Sequence, residues 1–214
     1  MVFVAVLIVS GFTQLDACYT GLTIIPTADV LDHGEYGLEQ QFDGTFAAVG
    51  ENTQVFDMEF GLLPRLEAGA DFDLARDSDS RVLLNAKYLI SEGGKHRPAL
   101  ALGTCNVGTN ARSVPYLVAT RGFDALRGHL GIMRMEGRDR WFVGSDFALN
   151  ERLMLMADYV SGSENTSSVG ASYQVNDRFG VLAGVVFPNE RGTSTGFTLH
   201  LVLNGPFSGS TKGQ

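Results

Sequence analysis

From Tyr36 onward, apolar and polar residues alternate one for one through a succession of segments, each about nine to eleven residues long. A period of two places successive side chains on opposite faces of an extended chain, so each segment separates an apolar medium from a polar one. The pattern is clearest near the end. Phe197, Leu199, Leu201 and Leu203 alternate with Gly196, Thr198, His200 and Val202, and Phe179, Val181, Ala183, Val185 and Phe187 oppose Gly180, Leu182, Gly184 and Val186. Near the start, Tyr36, Leu38 and Phe42 oppose Gly37, Glu39, Gln41 and Asp43. Phe56, Met58, Phe60 and Leu62 oppose Asp57, Glu59 and Gly61. Leu66, Ala68, Ala70, Phe72 and Leu74 then oppose Glu67, Gly69, Asp71 and Asp73, and Val82, Leu84, Ala86, Tyr88 and Ile90 oppose Asn85 and Lys87. Less regular segments at 99–106, 114–121, 126–134, 141–149, 152–160 and 166–175 bring the strand count to about twelve.

Alternation alone suits both a membrane barrel and a soluble sandwich, since each has one apolar and one polar face. Three features favour the barrel. The segments have the length a tilted membrane strand needs, about nine to eleven residues, against the usual five or six in soluble sheets. Aromatics sit near segment ends (Tyr36, Phe72, Tyr88, Trp141, Tyr159, Tyr173, Phe187), where membrane interfaces would lie. The opposite faces are small and polar, as a lumen would be. The expected fold is therefore all-β: a single antiparallel transmembrane β-barrel of about twelve strands, an up-and-down meander in the bacterial outer membrane. Membrane lipid is its first partner. The 26 glycines fit many short strands and turns better than long helices.

Short turns orient such a barrel. Phe60-Gly61-Leu62-Leu63-Pro64-Arg65-Leu66 is matched by Phe147-Ala148-Leu149-Asn150-Glu151-Arg152-Leu153 and by Tyr173-Gln174-Val175-Asn176-Asp177-Arg178-Phe179. Each reads aromatic-x-aliphatic-x-x-Arg-apolar, and Arg65, Arg152 and Arg178 mark turns after strands two, eight and ten. All three fall at one rim. Connections after odd strands (44–53, 75–80, 107–112, 161–165 and 188–193) are longer and more polar, the asymmetry of periplasmic turns and extracellular loops.

Residues 1–18 read as an export segment: the apolar run 2–9 is too short to span a bilayer and fits the apolar part of a secretory signal. No Lys or Arg precedes the run. Leu15-Asp16-Ala17-Cys18 loosely matches a lipoprotein cleavage site, which leaves lipidation of Cys18 open; a buried first strand of a soluble domain is the alternative to export. The expected organisation is an export segment at 1–18, a pre-barrel segment at 19–35, the barrel at 36–204 and a polar tail at 205–214. Cys18 and Cys105 make neither a metal pattern nor a disulfide framework.

The pre-barrel segment runs Gly21-Leu22-Thr23-Ile24-Ile25-Pro26-Thr27-Ala28-Asp29-Val30-Leu31, followed by Gly34-Glu35-Tyr36. It resembles the start of YjbH-like outer-membrane proteins, whose barrels often open with G-L-x-x-x-P-T-A and then G-x-[FY]. The motif covers about 16 residues, and this chain is short for that family. The resemblance implies a link to exopolysaccharide production or secretion, with polysaccharide or export-machinery proteins as partners; it transfers no catalytic residue. Physically, Pro26 stops regular pairing, and Thr27 or Asp29 can bond local amides. The segment is expected to form a plain turn, to cross the periplasmic rim or to enter the lumen as a small plug.

With polar faces inward, the lumen would carry Glu39, Asp43, Asp57, Glu59, Glu67, Asp71 and Asp73 on the first three strands. Lys87, Arg121, Arg127 and His129 would lie on strands four, six and seven, and Asp158 on strand nine. In a twelve-strand ring the seventh strand faces the first, so acidic and basic arcs would meet across the lumen. Charge pairs filling a narrow lumen are one expectation; a water-filled, weakly cation-selective pore is the other. A net charge of −8 and the lack of any Lys/Arg run argue against nucleic acid as a partner. There is no G-x-S-x-G, no His-x-x-x-His and no paired cysteine ligands. His129 and His200 fall on the inward register, away from lipid. No catalytic, cofactor or metal residue is therefore assigned. A soluble secreted β-sandwich or carbohydrate-binding module is the main alternative, and a lipid-acting barrel enzyme, which would need a Ser-His site on the outer face, the lesser one; Asp71 and Asp158 could form an acid/base pair, but lumen solvation or salt bridging explains them more simply.

Overall fold

A computed structural model of the chain describes residues 19–47, 52–74, 82–108 and 111–207. Twelve strands run in order: β1 (Glu35–Thr45), β2 (Thr53–Leu63), β3 (Leu66–Asp73), β4 (Val82–Ser91), β5 (Ala99–Val107) and β6 (Val114–Phe123). They continue with β7 (Leu126–Met135), β8 (Arg138–Ala148), β9 (Leu153–Val160), β10 (Thr166–Gln174), β11 (Phe179–Pro188) and β12 (Gly196–Pro206). Each pairs antiparallel with its sequence neighbours, and β1 pairs with β12 from Glu35↔Pro206 to Thr45↔Gly196. The result is a closed up-and-down barrel, not a sandwich. Closure leaves no strand edge, so the ladder satisfies the backbone without water, as a lipid-embedded sheet requires.

The barrel is inverted relative to a soluble protein. Leu84, Leu102, Leu130, Ile132, Trp141, Val143, Leu155 and Val169 stand exposed on the outside, while Glu59, Glu67 and Lys87 are buried inside. Large exposed apolar surface wrapped around buried charge is stable only where the outer medium is itself apolar. Aromatic pairs mark both rims. Phe207 lies 5.6 Å from Tyr36 and 5.4 Å from Phe60 at the turn end, and Trp141 lies 5.1 Å from Tyr159 at the loop end.

The Arg turns share one rim but not one geometry. In the second and third copies an Asn forms the turn: Asn150 Oδ1 accepts from the amides of Arg152 and Leu153, and Asn176 Oδ1 from those of Arg178 and Phe179. In the first copy Leu63 pairs directly with Leu66, and Arg65 takes a positive φ of 71°. All three arginine carbonyls do the same work, extending the ladder to the next strand by accepting from Leu89, Gln174 and Asn204 amides. Two connections depart from the expected asymmetry. β7 and β8 join at the loop rim through the tight turn Glu136-Gly137, both with positive φ, and β4 and β5 join at the turn rim through the longer 92–98 segment. The export segment, Cys18 and most of the polar tail lie outside the described residues.

Candidate functional site

The segment before β1 sits inside the barrel. Leu22, Thr23, Ile24, Ile25, Thr27 and Ala28 are all buried, and Ile25 has no exposed surface. Local bonds shape it into a compact loop. Gly21 and Pro26 form a bridge, the Leu22 amide donates to the Ile25 carbonyl (2.8 Å), and the Thr27 hydroxyl donates to the Thr20 carbonyl (2.7 Å). Pro26, which lacks an amide, cannot continue a strand and turns the chain here.

The wall is shaped to receive this plug. A side chain at Gly144 on β8 would put its Cβ 2.6 Å from Ile25 and 2.8 Å from Leu22; one at Gly170 on β10 would meet Thr23 at 2.8 Å. Inward glycines on β1 and β2 serve the same end, with Gly37 lying against the Tyr19 ring and Gly61 against the Asp32 carbonyl. Much of the glycine on the polar faces is therefore clearance for the plug.

Polar side chains then pin the plug's backbone from several strands. Asp158 on β9 accepts from the Ile24 amide (3.1 Å) and also from the Ser168 hydroxyl. Thr120 on β6 accepts from the Ala28 amide (2.9 Å). Glu67 on β3 accepts from the Leu31 amide and the Thr20 hydroxyl (both 2.8 Å) and lies 3.4 Å from Lys87 Nζ on β4. Lys87 in turn donates to the Asp29 carbonyl (2.7 Å), and to the Thr20 hydroxyl. On the opposite side Arg127 of β7 pairs with the Asp29 carboxylate at 2.7 Å and with Asp146 of β8 at 2.9 Å. Asp146 also bonds His129 Nε2 (3.0 Å), and His129 Nδ1 meets the Thr120 hydroxyl (2.9 Å). Asp146 thus orients Arg127, which grips Asp29, and, through His129, Thr120, which grips Ala28.

The lumen has two halves. On β1–β4, Glu39, Asp43, Asp57, Glu59, Glu67, Asp71 and Lys87 are buried, with Asp73 partly exposed at the end of β3. Asn85 donates to Asp71 (2.5 Å) and Glu59 (3.3 Å), and His200 of β12 pairs with Glu39 at 2.7 Å. On β5–β9, Ala101, Cys105, Tyr116, Val118, Met133, Phe142 and Val160 form an apolar core with Leu22, Ile24 and Ile25 of the plug. His129 and Asp158 are buried here, and Arg127 is partly exposed; Arg65, Arg152 and Arg178 are exposed at the turn rim. Charges therefore pair between neighbouring strands or through the plug, rather than arc to arc across open space. Asp71 and Asp158 have separate partners on β4 and β10 and form no acid/base pair.

Arg121 is a correction: it points outward, its guanidinium 5.0 Å over the Phe123 ring, and Thr120 is the inward residue. β6 is apolar on both faces, with Val114, Tyr116 and Val118 inward and Leu117 outward. Its single charge was therefore the only cue to sidedness, and a rim position let that charge face out. Tyr19, Thr20, Thr120 and Asp146 were not singled out from the sequence, and Asp29 was expected to bond only local amides. Asp29 carried a signal, as a carboxylate beside the proline turn; Asp146 alternates with Phe147 and was legible on that ground. Among the described residues no group of His, Cys, Asp and Glu could hold a metal ion.

No protein-family model matches the sequence, and no curated protein is detectably similar to it. Among solved structures, the chain is similar to the KdgM porin, with a TM-score of 0.60 at 12% identity over 78% of this chain and 98% of that one. The same porin in complex with disordered oligogalacturonate gives 0.59 at 10% identity, covering 79% and 98%. The fold is that of a bacterial outer-membrane β-barrel of the porin type. At such identity the likeness concerns the fold, and it does not single out the YjbH-like family. The barrel here differs from an open tube in one respect visible in its own residues: its lumen is occupied by the segment that precedes β1.

Proposed function

We propose that this outer-membrane barrel is a transport-related protein held closed at rest by residues 20–31, which act as a displaceable plug. The observation that carries the reading is the way the plug is held. Glu67, Thr120 and Asp158 accept hydrogen bonds from three separate backbone amides, and Arg127 and Lys87 hold Asp29. A lumen that only needed filling could use apolar side chains, as β5–β9 do; water can take over each of these polar bonds when the plug leaves. The solute we propose is a saccharide, on the strength of the pre-barrel motif and of the oligogalacturonate bound in the KdgM complex. The buried carboxylates of β1–β4 favour a neutral one over an acidic one.

Planar-bilayer recording of the refolded full chain tests this. The wild type should show rare, brief openings; a chain lacking residues 20–31 should show steady conductance with cation preference. Steady large conductance from the wild type would overturn the plug, and a silent deletion variant that still folds would leave a structural barrel.

A further inference from the structure

The hydrogen bonds of residues 20–31 to the wall run to β3, β4, β6, β7 and β9, and Tyr19, just before them, bonds Asn204 of β12. Between the plug and the β9–β12 wall lies a cavity of about 180 Å³. The plug contributes Gly21 and Leu22 to its lining, Tyr19 just before the plug adds its ring, and the wall contributes Met154, Met156, Ser172, Leu182, Val202 and the Glu39–His200 pair. These wall residues place it in the turn-rim half of the lumen, since Met154 opens β9 and Val202 lies late in β12.

From this geometry we infer that the cavity is a binding site for a small, uncharged, mainly apolar molecule of about the size of a single aromatic ring. Volume comes first: an apolar cavity of roughly 150 Å³ accepts benzene. Chemistry comes second. Leu22, Met154, Met156, Leu182 and Val202 present aliphatic and thioether surface, and methionines adapt to an aromatic guest at their sulfur. His200 offers a ring face, not a free nitrogen, because Nδ1 is 2.7 Å from Glu39 and Nε2 is 2.6 Å from Thr198. Ser172 supplies one hydroxyl for a guest with a single hydrogen-bonding group. An anion would meet the Glu39 carboxylate in a largely apolar cavity and would be rejected.

Because Gly21 and Leu22 belong to the plug and Tyr19 directly precedes it, a guest here contacts the seated state and not the withdrawn one. Occupancy would therefore hold the plug in place by mass action. This second consequence rests on the plug reading; the site itself does not.

Methionine-methyl NMR on the folded full chain in nanodiscs, with phenol as probe, separates the two. The Met154 and Met156 methyls should shift upfield and saturate. Met133 and Met135 in the apolar half and lipid-facing Met58 should stay put. Benzoate should shift none of them. Leu182→Trp, which fills the cavity, should abolish the shift; Ser172→Leu does the same job should the larger residue prevent folding. Absence of a shift, a linear shift of all methyls from partition into lipid, or equal response to benzoate would overturn the site. Phenol should also lower the opening frequency of a plug-weakened variant. If the NMR shift saturates while the opening frequency is unmoved, the site stands and the plug reading fails.

Discussion

Thr120→Val isolates a single bond between wall and plug. Valine nearly matches threonine in shape, so the substitution leaves no large cavity, but it removes the oxygen that accepts the Ala28 amide at 2.9 Å. The direction of the surrounding chain follows from its ends. Asp146 can only accept, so with a neutral imidazole His129 Nε2 donates to it and Nδ1 accepts the Thr120 proton. The Thr120 lone pairs are then left for Ala28. A buried amide stripped of its acceptor costs about 1–3 kcal/mol. That cost falls on the seated state alone, because the released plug hydrates its amide, whereas the orphaned His129 nitrogen is common to both states. At 1.4 kcal/mol per tenfold, the equilibrium shifts toward release by roughly fivefold to 150-fold. Opening frequency in planar bilayers reads this directly, with Thr120→Ser as the control that keeps the hydroxyl and should behave like wild type. The reasoning fails if the valine variant folds and stays as quiet as wild type, or if the serine variant opens as often as the valine one.

Other expectations follow from the same contacts. Gly144→Leu should unseat the plug at a cost of about 1–3 kcal/mol, through overpacking against Ile25 and Leu22; Gly128→Leu, whose Cβ meets nothing within 4 Å, should not, and protease sensitivity of residues 20–31 distinguishes them. Arg65→Gly should stabilise the barrel by about 1 kcal/mol in urea refolding, because Arg65 has a positive φ, less a small loss from its exposed Glu92 pair. Arg152→Gly and Arg178→Gly, whose φ values are ordinary, should give no gain. Burial pushes the Tyr19 hydroxyl from 10.0 up to about 12, an effect its bond to Asn204 opposes and nearby Glu39 reinforces. The folded state thus keeps a proton that the released tyrosine gives up, so this contribution is intact below pH 10 and is lost as pH rises toward 12. Opening should increase over that range, and Tyr19→Phe should remove that pH dependence.

What the sequence revealed of this molecule depended on whether a face met lipid or protein. On β1–β3 and β12 one face is apolar and the other carries carboxylates or histidine, and on β4 the second face carries Asn85 and Lys87, so the alternation itself suggests a sidedness; Glu39, Asp57 and Lys87 are buried. On β6 the inner face packs against the apolar core around Phe142 and Ile25, so both faces read alike and Arg121 was placed inward. The plug was one of three expectations for residues 19–35 because nothing local decides among them. Its loop is closed by bonds a surface turn would also make, and only distant residues, Gly144, Thr120 and Asp158, show that it is enclosed. Long-range complementarity of that kind leaves no periodic trace.

The two halves of the lumen have different roles in holding the plug. Withdrawal would expose Leu22, Ile24, Ile25, Val118 and Phe142 to water, and apolar exposure costs roughly 25 cal/mol per Å² with little directionality. That term favours the closed state but does not position it, since an apolar segment in a slightly different register would lose little. The polar contacts do the reverse. Glu67, Thr120 and Asp158 each address one amide, and Arg127 and Lys87 converge on Asp29 from different strands. Each bond is exchangeable for one to water at a net cost of about 0.5–1.5 kcal/mol. The apolar half thus favours closure without directing it, and the polar half supplies register. A plug held by the first alone would be sticky and imprecise; one held by the second alone would be precise and mostly open. It follows that substitutions in the core around Phe142 should change how often the barrel opens, whereas substitutions at Arg127 or Lys87 should also change how uniformly it recloses.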